Sequence, residues 1–227
     1  MTRIVNQHKL NPGKTALFDV DGTNDFADYK RTRARNFSRL AVPGGRKVGP
    51  VIGRIQRWGK RSGKIDFQIG IRDTHKPTMF NFAEQNPDKR PYLDKVADRD
   101  GSLVSVYPSH MIEGTWGWDW IRGTEAALFD ATFTKGTEEN RDEFSGATQE
   151  VIDWLRAHGV TRVVLVGLVK RICVGLTANA LANAGFEVIL VDDATCDLPV
   201  PDWQSVIDDF QPNGVTLTSE KDLYKTL

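Results

Sequence analysis

A cysteine that closely follows a strand-like apolar run stands where a thiol can act as a nucleophile. Cys173 comes shortly after VTRVVLVG (Val160–Gly167) and opens the alanine-rich stretch CVGLTANALANA. A helix beginning there offers backbone N–H groups and a dipole that favours negative charge. Such a thiol needs a base to form thiolate, donors for an oxyanion and a fixed substrate. Other reactive groups recur at comparable positions. Asp19 and Asp21 close the run TALFDVD, Asp73 and His75 form a D-x-H after IDFQIGI, and Lys170 to Cys173 follow the later run. Each has an ordinary alternative: a free cysteine is commonly a small buried apolar residue, and a D-x-H pair a satisfied structural one.

Four apolar runs, Thr15–Asp21, Ile65–Ile71, Val160–Gly167 and Phe186–Val191, are not strictly alternating, which predicts parallel strands covered on both faces. Stretches of helical period lie between them. Val48–Gly59 carries Ile52, Ile55 and Trp58; Gly146–His158 carries Val151, Ile152, Trp154 and Leu155; Cys173–Ala184 is small enough to pack closely on a sheet. The alternation predicts an α/β fold, doubly wound, with a mainly parallel sheet and helices on both faces. One more helix (Trp203–Phe210) and a short strand (Gly214–Leu217) are expected to close it. With no repeat or linker, residues 1–227 are expected to form one domain, with the basic stretch 28–39 as a surface insertion. Ligands in open α/β sheets bind outside the carboxyl ends of the strands, where the groups above gather.

Lys+Arg and Asp+Glu both total 30, so no net charge argues for a nucleic-acid or membrane partner. No apolar run approaches the roughly 18 residues of a membrane span. The N-terminus lacks the apolar core of a secretion signal. Two cysteines, Cys173 and Cys196, form no disulfide framework, and a cytoplasmic, reducing setting is expected.

The segment FDVDGT (Phe18–Thr23) resembles the first motif of haloacid-dehalogenase-type phosphatases. That resemblance implies Asp19 as nucleophile, Asp21 as acid/base and Asp192–Asp193 as a magnesium-binding pair. It lacks the Ser/Thr of the second motif and leaves the His, Lys and Cys residues without a role.

A second resemblance absorbs them. VGLVKRICVGLTANALANAGFEVILVDDAT resembles the nucleophile segment of the isochorismatase-like cysteine hydrolases, V-G-x-x-x-x-x-C-V-x-x-T-A-x-x-A followed by G-(hydrophobic)-x-V and a D-A-T turn. VDGTNDF (Val20–Phe26) resembles the V-D-x-Q-N-D-F opening, LAVPGG (Leu40–Gly45) the L-A-V-P-G-G that follows, and EFSG (Glu143–Gly146) the Y/F-S-(A/G) segment. The resemblance implies Asp21, Lys135 of FTKGT and Cys173 as the catalytic set. IRDTHKPTMFNFA and YPSHMIEGTWG resemble the nicotinamidase stretches T-R-D-W-H-P-x-x-x-x-S-F and W-P-x-H-C-V-x-G-T-x-G. They imply one divalent metal ion, zinc first and manganese or iron as alternatives, on Asp73, His75 and His110.

The departures from these patterns are specific. Thr23 replaces the usual Gln, Tyr107 the Trp, and Met111 the Cys after the histidine; Met79 stands where some nicotinamidases carry a further His, and Lys170-Arg171-Ile172 replaces T-D-H/Y. The cationic pair either acts on the thiol or an anionic substrate, or faces solvent. The implied function is hydrolysis of nicotinamide to nicotinate and ammonia through a thioester, in NAD salvage; another small amide or carbamoyl compound is the alternative substrate. Phe26 and Tyr107 are candidates to sandwich a flat ring, and the Val169–Lys170 turn to bind the oxyanion with Cys173. Trp116, Trp118 and Trp120 are candidates for the pocket mouth or for a contact in a homo-oligomer.

Overall fold

The computed structural model describes residues 13–28, 38–198 and 214–227. The greater part of the basic stretch 28–39 and the expected helix Trp203–Phe210 lie outside them.

Among the described residues, six strands form one sheet: β1 (Lys14–Val20), β2 (Phe67–Asp73), β5 (Ala131–Lys135), β6 (Val160–Gly167), β7 (Glu187–Thr195) and β8 (Val215–Thr218). Their order is β5-β2-β1-β6-β7-β8, and every neighbouring pair is parallel. A short antiparallel hairpin, β3 (Lys95–Ala97) with β4 (Leu103–Ser105), stands apart. Its segments are too short to carry a periodic signal in the sequence.

Among the described residues, four helices cover the sheet: α1 (Val48–Ser62), α2 (Gln149–Ala157), α3 (Gly175–Asn183) and α4 (Glu220–Thr226). The two-residue period of the strands divides the core. Phe18, Val163, Leu165, Val188 and Leu190 pack with Val151, Leu155, Ala178 and Leu181 of α2 and α3. Leu17, Val164, Val166, Ile189 and Val191 pack with Ile52 and Ile55 of α1 and Leu223 of α4. Apolar side chains on both faces are why the strands are unbroken apolar runs in the sequence. Among the described residues, no helix is long and apolar enough to cross a membrane.

β1 lies centrally, between β2 and β6, and its end marks the position of the site. There Gly167 closes β6 with φ 117°, and a Cβ would collide with the backbone of Val20. Only glycine meets both demands. The chain then enters a wide helical turn of π type, Lys170–Val174, before α3 begins. Cys173 therefore sits in that turn rather than at the first residue of a regular α-helix.

Candidate active site

Asp21, Asp73 and Lys135 come from the adjacent ends of β1, β2 and β5, and Asp73 and Lys135 are register partners in the sheet. Asp21 follows β1 with a left-handed φ of 53°, a region an aspartate tolerates better than most side chains. Its Oδ1 accepts the Asp73 backbone N–H at 2.6 Å, and its Oδ2 lies 2.9 Å from Lys135 Nζ. Lys135 Nζ also donates to Asp73 Oδ1 and, at 3.6 Å, to Cys173 Sγ. All four side chains are buried.

Burial sets the protonation of this cluster. It pushes the Asp21 carboxyl up to about 6, with repulsion from Asp73 adding and Lys135 opposing. It pushes the Cys173 thiol well above its ordinary range; Lys135 opposes this, and Asp21 and Asp73 add to it. Burial works against the charge of Lys135, but Asp21 and then Asp73 outweigh it and hold the ammonium well above the usual lysine range. The thiol therefore rests protonated beside a carboxyl poised to accept its proton. The helix start expected to favour thiolate is outweighed by burial.

Asp73, His75 and His110 place one donor atom each within 4.8 Å of one another. His75 Nδ1 pairs with the Gly136 carbonyl at 2.8 Å, and His110 Nδ1 with the Pro108 carbonyl at 2.9 Å. A carbonyl only accepts, so both Nδ1 atoms carry hydrogen, and Nε2 is the atom each ring has left for a ligand. His75 Nε2 lies 3.7 Å from Asp73 Oδ2. Burial, and then the neighbouring His75, depress His110 to about 3, so its ring is neutral, as a ligand must be. Phe82 packs against both imidazoles, with ring centroids 5.6 and 5.4 Å away. Two imidazoles that each offer Nε2, together with a carboxylate, fit a first-row divalent ion.

Beside these groups lies a cavity of about 350 Å³, its open mouth included, with Cys173, Asp73 and His110 on its wall. Phe26, Tyr107 and Val169, expected from the sequence to meet substrate, line it as well; Leu40, Asp142, Phe144 and Ile172 complete it. Leu40 and Phe144 fall within motifs already noted. Asp142 had no signal of its own beyond standing just before EFSG. The peptide bond Leu168–Val169 is cis.

Other expected residues lie elsewhere. The Lys170 ammonium pairs with Asp192, its backbone N–H donates to the Cys196 carbonyl at 2.9 Å, and Arg171 pairs with Asp197 at 3.4 Å. The cationic pair thus turns to acidic groups on and just after β7, not to the cavity. Trp118 stacks on the Arg72 guanidinium and donates to Thr74 Oγ1 at 3.0 Å. Trp120 covers Gly70 and packs on Phe129. None of the three tryptophans lines the cavity.

The phosphatase reading loses its nucleophile. Asp19 is buried beneath Gly22 and Thr124, away from the cavity wall. Asp192 is taken by Lys170, and Asp193 accepts the Glu220 backbone N–H.

Comparison with known proteins identifies the family. The family model described as the isochorismatase domain matches residues 15–222. A nicotinamidase of Escherichia coli K12 is 27% identical over 185 residues, covering 78% of this chain and 81% of its own. A pyrazinamidase of Pyrococcus horikoshii, solved in complex with zinc, superposes with a TM-score of 0.70 at 25% identity, covering 91% of this chain and 99% of its own. A nicotinamidase and pyrazinamidase of Acinetobacter baumanii superposes with a TM-score of 0.80 at 22% identity, covering 93% and 99%. The match extends from the first strand of the sheet to the last helix, and the chain belongs to the isochorismatase family.

Proposed function

We propose that this protein is a cytoplasmic, metal-assisted nicotinamidase, a hydrolase that cleaves the amide C–N bond of nicotinamide to give nicotinate and ammonia in NAD salvage. One observation carries the proposal: the Cys173 thiol and the Asp73–His110 side of the metal-ligand set lie on the wall of the same cavity. The nicotinamidase relatives support the substrate, and the zinc-bound neighbour supports the metal.

Asp21 takes the Cys173 proton, and the thiolate attacks the amide carbon. The oxyanion is assigned to the backbone N–H of Cys173 and to one in the Val169–Lys170 turn; since the Lys170 N–H donates to the Cys196 carbonyl at 2.9 Å, Val169 supplies the second. Asp21 then returns its proton to the departing nitrogen, which leaves as ammonia with both electrons of the broken C–N bond. The same carboxylate deprotonates a water that cleaves the thioester, so one acid/base group serves both halves of the reaction. Lys135 keeps Asp21 and the sulfur in register and stabilises negative charge. Asp73, His75 and His110 would hold a divalent ion, zinc first, whose open positions supply Lewis acidity toward a ring nitrogen and so help orient the carboxamide. Phe26 and Tyr107 flank the ring.

The test is ammonia release from nicotinamide by the purified protein, with and without chelator, beside Cys173→Ala. Activity lost in both treated samples supports the proposal; release that survives the cysteine substitution overturns it.

A further inference from the structure

Asp25 belongs to the opening motif but has no part in the chemistry assigned to Asp21, Lys135 and Cys173. It is buried, and each of its carboxylate oxygens accepts a backbone N–H. Oδ2 accepts from Met111 at 2.8 Å and Oδ1 from Arg39 at 3.1 Å. The Met111 N–H lies in the same planar peptide as the His110 carbonyl, so the carboxylate fixes the backbone where it leaves His110. On its other side, the Met111 carbonyl accepts the His75 N–H at 3.0 Å. One residue thus ties the backbones of both histidines together, and it does so with a left-handed φ of 53°. A methionine rarely adopts that conformation, which persists only where surrounding bonds impose it. Gly117 completes the clamp. Its carbonyl accepts the Asp25 N–H at 2.9 Å, and a Cβ there would collide with the Asp25 carboxylate.

We propose that Asp25 is a positioning residue for the metal-ligand set: by clamping the His110–Met111 peptide it holds both imidazoles within reach of Asp73 and raises affinity for a divalent ion. The inference rests on the metal reading of Asp73, His75 and His110 and goes beyond it in naming what holds the set together. Groups that orient ligands from outside commonly contribute roughly 10–100-fold in metal affinity. Two changes disturb the clamp without touching a ligand. Asp25→Asn keeps the shape but can accept from only one of the two N–H groups, its own NH₂ facing the other. Gly117→Ala keeps the carboxylate and displaces it.

The experiment measures the zinc Kd of the full chain by competition with a chromophoric chelator, for wild type, Asp25→Asn, Gly117→Ala and Leu223→Ala. The last opens the core beneath α4 and controls for lost stability. Both clamp variants should bind zinc roughly tenfold more weakly or worse, whereas Leu223→Ala should melt lower and keep the wild-type Kd. A loss below about threefold in either clamp variant overturns the inference. So does a loss in Leu223→Ala as large as theirs, which would make affinity a mere follower of stability. Either clamp variant decides alone if the other fails to fold. If wild type binds no zinc, the metal assignment falls and the inference with it; wild-type binding with unchanged clamp variants overturns the inference alone.

Discussion

The Thr23 hydroxyl donates to the Met111 thioether at 3.0 Å, and both side chains are fully buried. These are two positions of departure from the motifs the chain resembles, Thr23 in the family's opening motif and Met111 in a nicotinamidase stretch. A shorter residue stands in place of Gln and a longer one in place of Cys, and the two departures meet. Backbone ties hold the pair: Asp25 Oδ2 accepts the Met111 N–H at 2.8 Å.

Thr23→Gln alone should therefore overpack the site and cost about 1–3 kcal/mol. Combining it with Met111→Cys should recover most of that loss. Urea unfolding of the single and double variants measures the coupling; simple additivity would show that the two positions are independent.

Lys135 pairs with two buried carboxyl groups, Asp21 and Asp73. Replacing it by Met leaves both without their cation, and breaking such a pair costs roughly 3–5 kcal/mol. Lys135→Met should lower the melting temperature by several degrees as well as abolish turnover. A variant as stable as wild type would mean that the lysine contributes little to holding the cluster.

His110→Ala removes one lone pair from the three-donor set, so metal content after dialysis, read by atomic absorption, should fall well below that of wild type. Cys173→Ala should bind metal at the wild-type level. Equal metal content in the His110 variant would place the ion elsewhere.

Asp19 gives a pH signature. Burial, and then repulsion from Asp21, push its carboxyl up to about 7, against backbone N–H of Gly22 and the Thr124 hydroxyl, which act to lower it. An acid whose pKa is raised on folding binds its proton more tightly in the folded state. Its contribution to stability therefore declines as pH rises from about 4 to about 7 and is flat beyond. Asp19→Asn, which never ionises, should lack that decline and be the more stable protein at pH 8, by on the order of a few kcal/mol. Unfolding free energies of the two proteins from pH 4 to 8 supply the difference. Parallel curves would show that Asp19 titrates alike folded and unfolded.

Local pattern was enough for much of this architecture. β1, β2, β6 and β7 are legible because a strand covered on both faces must be an apolar run, and α1 because its apolar face recurs at helical period. Asp21, Asp73, His75, His110, Lys135 and Cys173 stood out through motifs whose spacing survives in the chain, and the fold brings all six to one end of the sheet. Other features depend on partners distant in sequence, which no local pattern records. Asp142 is held by Asn81 Nδ2, on a different loop, at 2.8 Å. The tautomers of His75 and His110 depend on the carbonyls of Gly136 and Pro108. The direction of Lys170 depends on Asp192, and the high pKa of Cys173 on the burial of the turn that holds it. Residue types and strand ends came from the order of amino acids; protonation, pairing and the free face of each polar group were decided by packing.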